Sequence, residues 1–312
     1  MNKESLIFVA GHNGMVGSSI VRLLKSKGYS NLILKSSQEL DLKDTNAVSI
    51  FFSSHNVEYV FLCAAKVGGI LENSNKPGEF LYDNLMIQSN VIHQSYVHNV
   101  KKLLFLGSSC IYPKMSVQPI KEEYLLSGFL EPTNQSYAIA KITGIRMCDS
   151  YRTQYGCDFI SAMPTNLYGP NDNFDLNSSH VIPALLRKFH EAKNNDSPSV
   201  TLWGDGSPLR EFLHVDDCAS ACLFLMNEFN DYGPVNVGTG SDISILNLAK
   251  LIADKIAFKG EIQLDSSKPN GTPKKQLDVS KINDLGWKAS IALDNGIESV
   301  CLILDNELKV YQ

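Results

Sequence analysis

The most constraining stretch of the chain is its beginning. Ser5–Ala10 is a short apolar run, and Gly11-His12-Asn13-Gly14-Met15-Val16-Gly17 follows it without a break. Val16, Ile20, Leu23 and Leu24 then recur at helical spacing up to Gly28. A strand, a glycine loop and a helix in direct succession let backbone N–H groups approach a pyrophosphate, and the helix amino terminus favours its charge. The alternative is a tight strand-to-helix turn with no ligand. The helical flank favours a nucleotide, carried by all seven residues Gly11 to Gly17.

The same alternation continues. Asn31–Leu34, Val57–Leu62, Val100–Leu106 and Asp158–Met163 read as strands, with helices over Tyr82–Asn99 and Asn134–Tyr155. Near-continuous apolar strands alternating with helices predict an α/β fold: a Rossmann-type, doubly wound parallel sheet. After Pro170 the pattern changes. A polar loop, a helix over His180–Ala192 and a short strand at Val200–Trp203 come first. Glu211–Val215, Asp217–Phe229 and Pro234–Val237 are expected to rejoin the first sheet. Ile243–Phe258, Glu261–Leu264 and a helix near Leu293–Leu308 complete the chain. This predicts a nucleotide-binding domain over 1–170 plus about 211–238. A smaller, interleaved carboxyl-terminal substrate domain would span 171–210 plus 239–312.

Bulk properties narrow the class. The 312 residues are 44% hydrophobic and 20% charged, as expected of a globular enzyme. The net charge of −5 argues against nucleic acid as a partner. No apolar run reaches the length of a membrane span, and the amino terminus has no signal-peptide character beyond the β-like Leu6–Ala10. The expectation is a cytoplasmic protein with no membrane partner. Seven scattered cysteines, without paired or Cys/His spacing, suggest neither a disulfide framework nor a metal site.

Chemistry concentrates after the apolar run Lys102–Leu106. Gly107 ends that strand and is followed by Ser108, Ser109 and Cys110, where an open parallel sheet binds its ligands. Tyr137 and Lys141 are four apart and share a helix face. A phenol beside an ammonium can move a proton during hydride transfer, and a serine hydroxyl can hold the carbonyl oxygen that gains charge. This predicts a carbonyl reductase, with Cys110 suggesting a second reaction. Read as an extended strand, the segment puts Ser108 and Cys110 on one face.

The second strand ends in Lys35-Ser36-Ser37, where an NAD site would place an acid. The next acid, Glu39, belongs to the following loop. That favours a 2′-phosphate and NADP(H), with Lys35 and Ser37 at the adenosine end; the plain alternative is a solvated strand end. Ala64 and Ala65 suit either close passage of a cofactor or helix–sheet packing. Arg210 is a planar cation suited to a diphosphate. Lys188 reads equally as a solvated helix face, Trp203 as core or as a stacking surface, and His180 as a residue beside a helix cap.

Taken together, Gly11–Gly17, Ala64–Gly69, Gly107–Pro113, Glu131–Ile142, Met163–Pro170, Ser179–His190 and Arg210–Asp217 resemble the extended short-chain dehydrogenase/reductases over nearly the whole chain. Within them, the cysteine in Gly107–Pro113 resembles enzymes that epimerise and then reduce a GDP-linked 4-keto-6-deoxymannose. The resemblance implies that Cys110 and His180 are the acid/base pair, while Ser108, Tyr137 and Lys141 run the reduction. It also implies that Gly107, Lys141, Pro164, Thr165, Asn166, Leu167 and His180 line the cofactor. Ser108, Lys188, Trp203 and Arg210 would hold the GDP-sugar. Enzymes of this kind often carry an arginine where Ser37 stands, so any NADP preference falls to Lys35. Other nucleotide-4-ketosugars, and a non-catalytic NADP sensor, are the competing readings; the intact Ser108/Tyr137/Lys141 set disfavours the sensor. A homodimer is expected through the helices over Tyr82–Asn99 and Asn134–Tyr155, whose Val91, Ile92, Ile145 and Met147 exceed what one sheet face should need.

Overall fold

A computed structural model describes residues 1–268 and 270–311. The first half runs β1 (Ile7–Ala10), α1 (Met15–Ser26), β2 (Leu32–Ile33), α2 (Thr45–Ser54), β3 (Tyr59–Leu62), α3 (Ile70–Asn75), α4 (Pro77–Val97), β4 (Lys102–Leu106), α5 (Gln135–Tyr155) and β5 (Phe159–Pro164). The second half runs β6 (Asn166–Tyr168), α6 (Val181–Asn194), β7 (Ser199–Trp203), β8 (Leu209–His214), α7 (Val215–Glu228) and β9 (Pro234–Val237). It ends with β10 (Asp242–Ser244), α8 (Ile245–Ile256), β11 (Glu261–Asp265), β12 (Lys274–Lys275), α9 (Ser280–Asp284) and α10 (Leu293–Leu308).

Six strands form one parallel sheet in the order β2-β1-β3-β4-β5-β9. Both faces are covered, which is why these strands read as unbroken apolar runs. In β1, Phe8 and Ala10 face the layer containing α2, while Ile7 and Val9 face α1 and α7. In β4, Leu103 and Phe105 point one way and Leu104 and Leu106 the other. Phe8 packs on Phe51 of α2 with ring centroids 4.7 Å apart. The start of α2 is set by Asp44, whose carboxylate accepts from the N–H groups of Asn46 and Ala47. Strand order reverses between β1 and β3, so the ligand crevice of an open α/β sheet opens at their carboxyl ends.

Two expectations are corrected. First, β8 does not rejoin the large sheet. It is the centre of a second sheet, antiparallel to β10 and parallel to β12 and β6. Only β9 of the later strands returns to the first sheet. The reason lies in Glu211, which is fully buried in β8. Its carboxylate accepts from the N–H groups of Thr239, Gly240 and Leu277, so the strand is fastened to the loops around it. Second, Val91, Ile92 and Ile145 are fully buried within the subunit and Met147 packs against the same core. They are consumed where α4 packs on α5, not left over for a partner. Gly144 of α5 lies against the Phe105 ring, and Gln88 of α4 donates to the Ala140 carbonyl at 2.6 Å. On these two helices Tyr82, Val97, Ile139 and Tyr155 are the exposed large apolar residues.

Candidate active site

At the end of β1, Gly11 adopts φ +87°, a conformation that side chains rarely take. A Cβ there would lie 2.7 Å from the Ala64 nitrogen, so Gly11 and Ala64 bring the ends of β1 and β3 into contact. A Cβ on Gly17 would collide with the Gly11 carbonyl. Gly14 differs: its nearest neighbour would be the Gly11 oxygen at 3.5 Å. It caps α1 with no side chain, and no acid stands in the first turn. Packing therefore demands two of the three glycines, and the third leaves the helix amino terminus uncovered. The buried Nδ1 of His12 also lacks a protein partner. An open set of backbone donors and an orphaned imidazole nitrogen fit the pyrophosphate of a dinucleotide. Asn13 is exposed, and Met15 and Val16 begin α1.

At the end of β2, Lys35 is half-buried and Ser37 exposed. Glu39 folds back onto this corner. Its carboxylate accepts from Ser36 N–H at 2.9 Å and the Ser36 hydroxyl at 2.8 Å, and lies 3.6 Å from Lys35 Nζ. The acid that sequence assigns to the following loop therefore reaches the strand end through its side chain.

The end of β4 carries the candidate reaction centre. Gly107 sits where any Cβ would strike the Met163 side chain. Residues Ser109–Ile111 form a single 3-10 turn capped by the Ser108 hydroxyl, which accepts from Cys110 N–H at 3.4 Å. This corrects the extended reading: Ser108 and Cys110 are juxtaposed by a tight turn, not by strand alternation. Across from them, Lys141 of α5 is buried and donates to the Leu106 carbonyl at 2.8 Å. Its Nζ lies 5.8 Å from the Tyr137 ring centroid and 4.8 Å from that of Phe105. Burial pulls the ammonium down to about 8, opposed by the neighbouring Cys110 and Cys63. Burial pushes the Tyr137 phenol up, Cys110 pushes it further, and its hydrogen bond with Ser108 pulls it back. Ser108, Cys110, Tyr137 and Lys141 thus form one electrostatically coupled group.

His180 is the amino-terminal cap residue of α6, without a side-chain capping bond. The residue is exposed, yet protein around its imidazole lowers the pKa by desolvation. The loop that delivers it is anchored where Gly69 N–H donates to the Ser178 carbonyl at 2.9 Å, beside the segment containing Ala64 and Ala65. Pro164 closes β5. Thr165 is buried and takes the Val237 carbonyl through its N–H at 3.0 Å. Asn166 donates to the Glu211 carbonyl at 2.8 Å, and Leu167 packs into the core beneath.

The four residues assigned to sugar binding come from four separate elements, Ser108 having been described at the end of β4. Lys188 is half-buried on α6. Trp203 ends β7 largely exposed, with Lys268 Nζ 5.6 Å from its ring centroid. Arg210 of β8 donates to the Leu209 carbonyl at 2.7 Å, and burial lowers its pKa. It also lines a cavity of about 390 Å³ with Phe212, Thr239, Ser241 and Ser290. Sequence reasoning missed Lys275, which pairs with Arg210 across β12 and β8. Lys274 forms an ion pair with Asp242 at 3.0 Å, whereas Lys275 forms none among the described residues. Burial lowers its pKa, with Cys110 opposing and Arg210 adding to the effect. Its signal was the pair of adjacent lysines that ends the basic, turn-rich stretch of sequence over 266–275.

A parallel sheet with a glycine loop at its switch point, and a serine–tyrosine–lysine group at the end of β4, defines a nicotinamide-dependent reductase class. The model of the NAD dependent epimerase/dehydratase family matches residues 7–238, and the chain belongs to that family. Within it the chain is similar to the GDP-L-fucose synthase of Escherichia coli K12, at 52% identity over 96% of each chain. It is 56% identical to putative GDP-L-fucose synthase 2 of Arabidopsis thaliana, over 95% of this chain and 90% of the relative. A solved GDP-mannoheptose C4 reductase from Campylobacter jejuni, with NADP bound, superposes with a TM-score of 0.92 at 40% identity, over 98% and 99% of the two chains.

Proposed function

We propose that this chain converts GDP-4-keto-6-deoxy-D-mannose to GDP-L-fucose by epimerisation at C3 and C5 and reduction at C4. The observation that carries it is the coupled group of Ser108, Cys110, Tyr137 and Lys141 at the end of β4. The similarity to GDP-L-fucose synthases supports it and favours it over other ketosugars.

In the epimerisation, the C4 ketone acidifies the protons at C3 and C5. Cys110 Sγ, as the thiolate, takes the proton at one carbon while the electron pair moves into an enolate whose oxygen accepts from Ser108, and it yields that proton to solvent before acting at the second carbon. His180, in the form of its imidazolium, returns a proton from the opposite face. Desolvation lowers the His180 pKa, so the imidazolium, once formed from solvent, gives up its proton more easily. Product formation then needs hydride at C4, which NADPH supplies when bound. Tyr137 gives its proton to the C4 oxygen, and the Lys141 ammonium offsets the phenolate that remains. Arg210 and Lys188 would balance the diphosphate, and Trp203 would stack on the nucleotide.

Gly11–Gly17, Ala64 and Ala65 would hold the pyrophosphate half of the cofactor, with Lys35 and Ser37 at the 2′ position. Gly107, Lys141, Pro164–Leu167 and His180 would surround the nicotinamide. This reading takes 1–170 plus about 211–238 as the nucleotide domain, with the strands β6 and β8 moved to the sugar domain's sheet, and the remainder as the sugar domain. It includes a cytoplasmic homodimer, now resting on exposed Tyr82, Ile139 and Tyr155 of α4 and α5. Incubation of the purified protein with GDP-4-keto-6-deoxy-D-mannose and NADPH in D₂O tests the whole sequence. GDP-L-fucose deuterated at C3 and C5 is expected, with both labels nearly lost in Cys110→Ser. A C4-reduced product with C3 and C5 unchanged would overturn the assignment.

A further inference from the structure

The turn that carries His180 is built to move as one piece. The Asp175 carbonyl accepts from the N–H groups of Ser178 and Ser179 at 3.1 and 2.7 Å, and Asp175 Oδ1 accepts from Asn177 N–H at 2.8 Å. Asn173 closes the turn by donating to the Ser178 hydroxyl at 2.8 Å. His180 follows directly and caps α6, so where the turn stands decides where the imidazole stands. On one side the turn is held at Phe174, whose carbonyl accepts from Arg187 and whose N–H donates to the Tyr311 hydroxyl, both at 3.1 Å. On the other side Gly69 N–H donates to the Ser178 carbonyl at 2.9 Å.

Gly69 is buried and caps α3 with φ −67° and ψ 179°, backbone angles open to any residue. Its lack of a side chain is demanded by the turn instead. A Cβ there would lie 3.0 Å from the Ser178 carbonyl oxygen and 3.2 Å from that of Ser179. The two sides of this contact are not equally free to give. Asn84 of α4 clamps Lys66, accepting from its N–H at 2.9 Å and donating to its carbonyl at 3.0 Å. Asn73 of α3 donates to the carbonyls of Gly68 and Gly69 at 2.7 and 3.1 Å. Both asparagines are buried. The loop from Ala64 to Gly69 is thus a fixed platform, and the His180 turn is the part that would yield. We propose that Gly69 is a positioning residue for the epimerisation: its bare backbone lets the turn seat on the cofactor-side loop and so places the His180 imidazole on the face opposite Cys110. The inference rests on reading His180 as the acid of the epimerisation and adds what holds it in place.

The test is Gly69→Ala in the full-length protein, with GDP-4-keto-6-deoxy-D-mannose and NADPH in D₂O. Cys110 Sγ should still take the proton at C3 or C5 and exchange it with solvent. With the His180 turn displaced by a few tenths of an ångström, the deuteron returns from the thiol to the face the proton left, and configuration is kept. Deuterium in recovered, unepimerised ketosugar should therefore rise, relative to GDP-L-fucose formed, by on the order of tenfold. Calorimetric titration with NADP⁺ should match wild type. A second readout needs no substrate. In protein labelled with ¹³C only in histidine, the His180 ring resonances, identified by their loss in His180→Gln, should shift in Gly69→Ala. Asn73→Ala, which frees the Gly68 and Gly69 carbonyls without adding bulk, should give both changes more weakly. A wild type that forms no GDP-L-fucose would sink the substrate reading, and the ring resonances would still decide what places His180. Unmoved resonances would overturn the proposal. So would a label ratio equal to that of wild type, or an equal fall of exchange and inversion with loss of NADP⁺ binding, which would mean that the platform itself had moved.

Discussion

Replacing Lys141 by methionine should stabilise the protein while ending reduction. The ammonium is buried, and the folded state draws it from 10.5 down to about 8. Keeping it charged at pH 7 therefore costs folding about 3 kcal/mol. Methionine fills similar volume without charge, but it leaves the Leu106 carbonyl without the Lys141 donor, a loss of about 1–3 kcal/mol. The net expectation at pH 7 is a variant more stable by up to about 2 kcal/mol. The pH dependence makes the argument specific. Between about 8 and 10.5 the unfolded lysine still holds its proton and the folded one does not, so wild-type stability from this group rises with pH. Methionine has no such gain. Its advantage should shrink steadily from pH 7 and be absent or reversed near pH 10. Urea unfolding of both proteins at paired pH values, after reversibility is established, measures the difference. An advantage that stays constant from pH 7 to pH 10 would refute the reasoning, as would a variant destabilised by more than about 1 kcal/mol at pH 7.

Three further outcomes are expected. Tyr137→Phe should lower ketone reduction by on the order of 10²–10⁴ while nucleotide titrations stay unchanged; normal turnover would remove the phenol from the reaction. Gly17→Ala, whose methyl meets the Gly11 carbonyl, should lower the thermal midpoint and abolish nucleotide binding. Gly14→Ala should spare the midpoint and lose only affinity, and equal thermal losses in the two variants would contradict this. Light scattering should give about twice the 34.5 kDa chain mass, and Ile139→Glu should shift it to the single-chain value; a monomeric wild type would exclude the dimer.

Much of the first sheet was legible because its strands are buried on both faces, so burial is written as unbroken apolar runs that periodicity detects. The short strands β6, β10 and β12 were not, since two or three residues cannot show a period. The sheet to which β8 belongs was illegible for another reason. The partners of the Glu211 carboxylate lie 28 to 66 residues further on, and nothing local announces them. The Tyr137/Lys141 pair could be read because a helix fixes residues four apart. The Ser108/Cys110 geometry could not, because a 3-10 turn and a strand end share the same local sequence. Glu39 and Lys275 were missed at their corners because a side chain that folds back, or a lysine left unpaired, is a property of neighbours.

The return of β9 to the first sheet has a consequence for how the chain is made. On the ribosome, β1 to β5 have emerged once residue 164 is out, yet the β5 edge remains open until Pro234–Val237 follow. Throughout that interval one side of the nascent sheet lacks α7, whose Cys218, Ala219, Cys222 and Leu225 cover Ile20 and Leu24. The amino-terminal half therefore waits, with an unpaired strand and a bare apolar face, for more than sixty further residues to be synthesised. That is the condition in which nascent chains aggregate. Fragments ending near residue 170 should be insoluble, and production of the intact enzyme should depend on holding the nascent chain until residue 237 arrives.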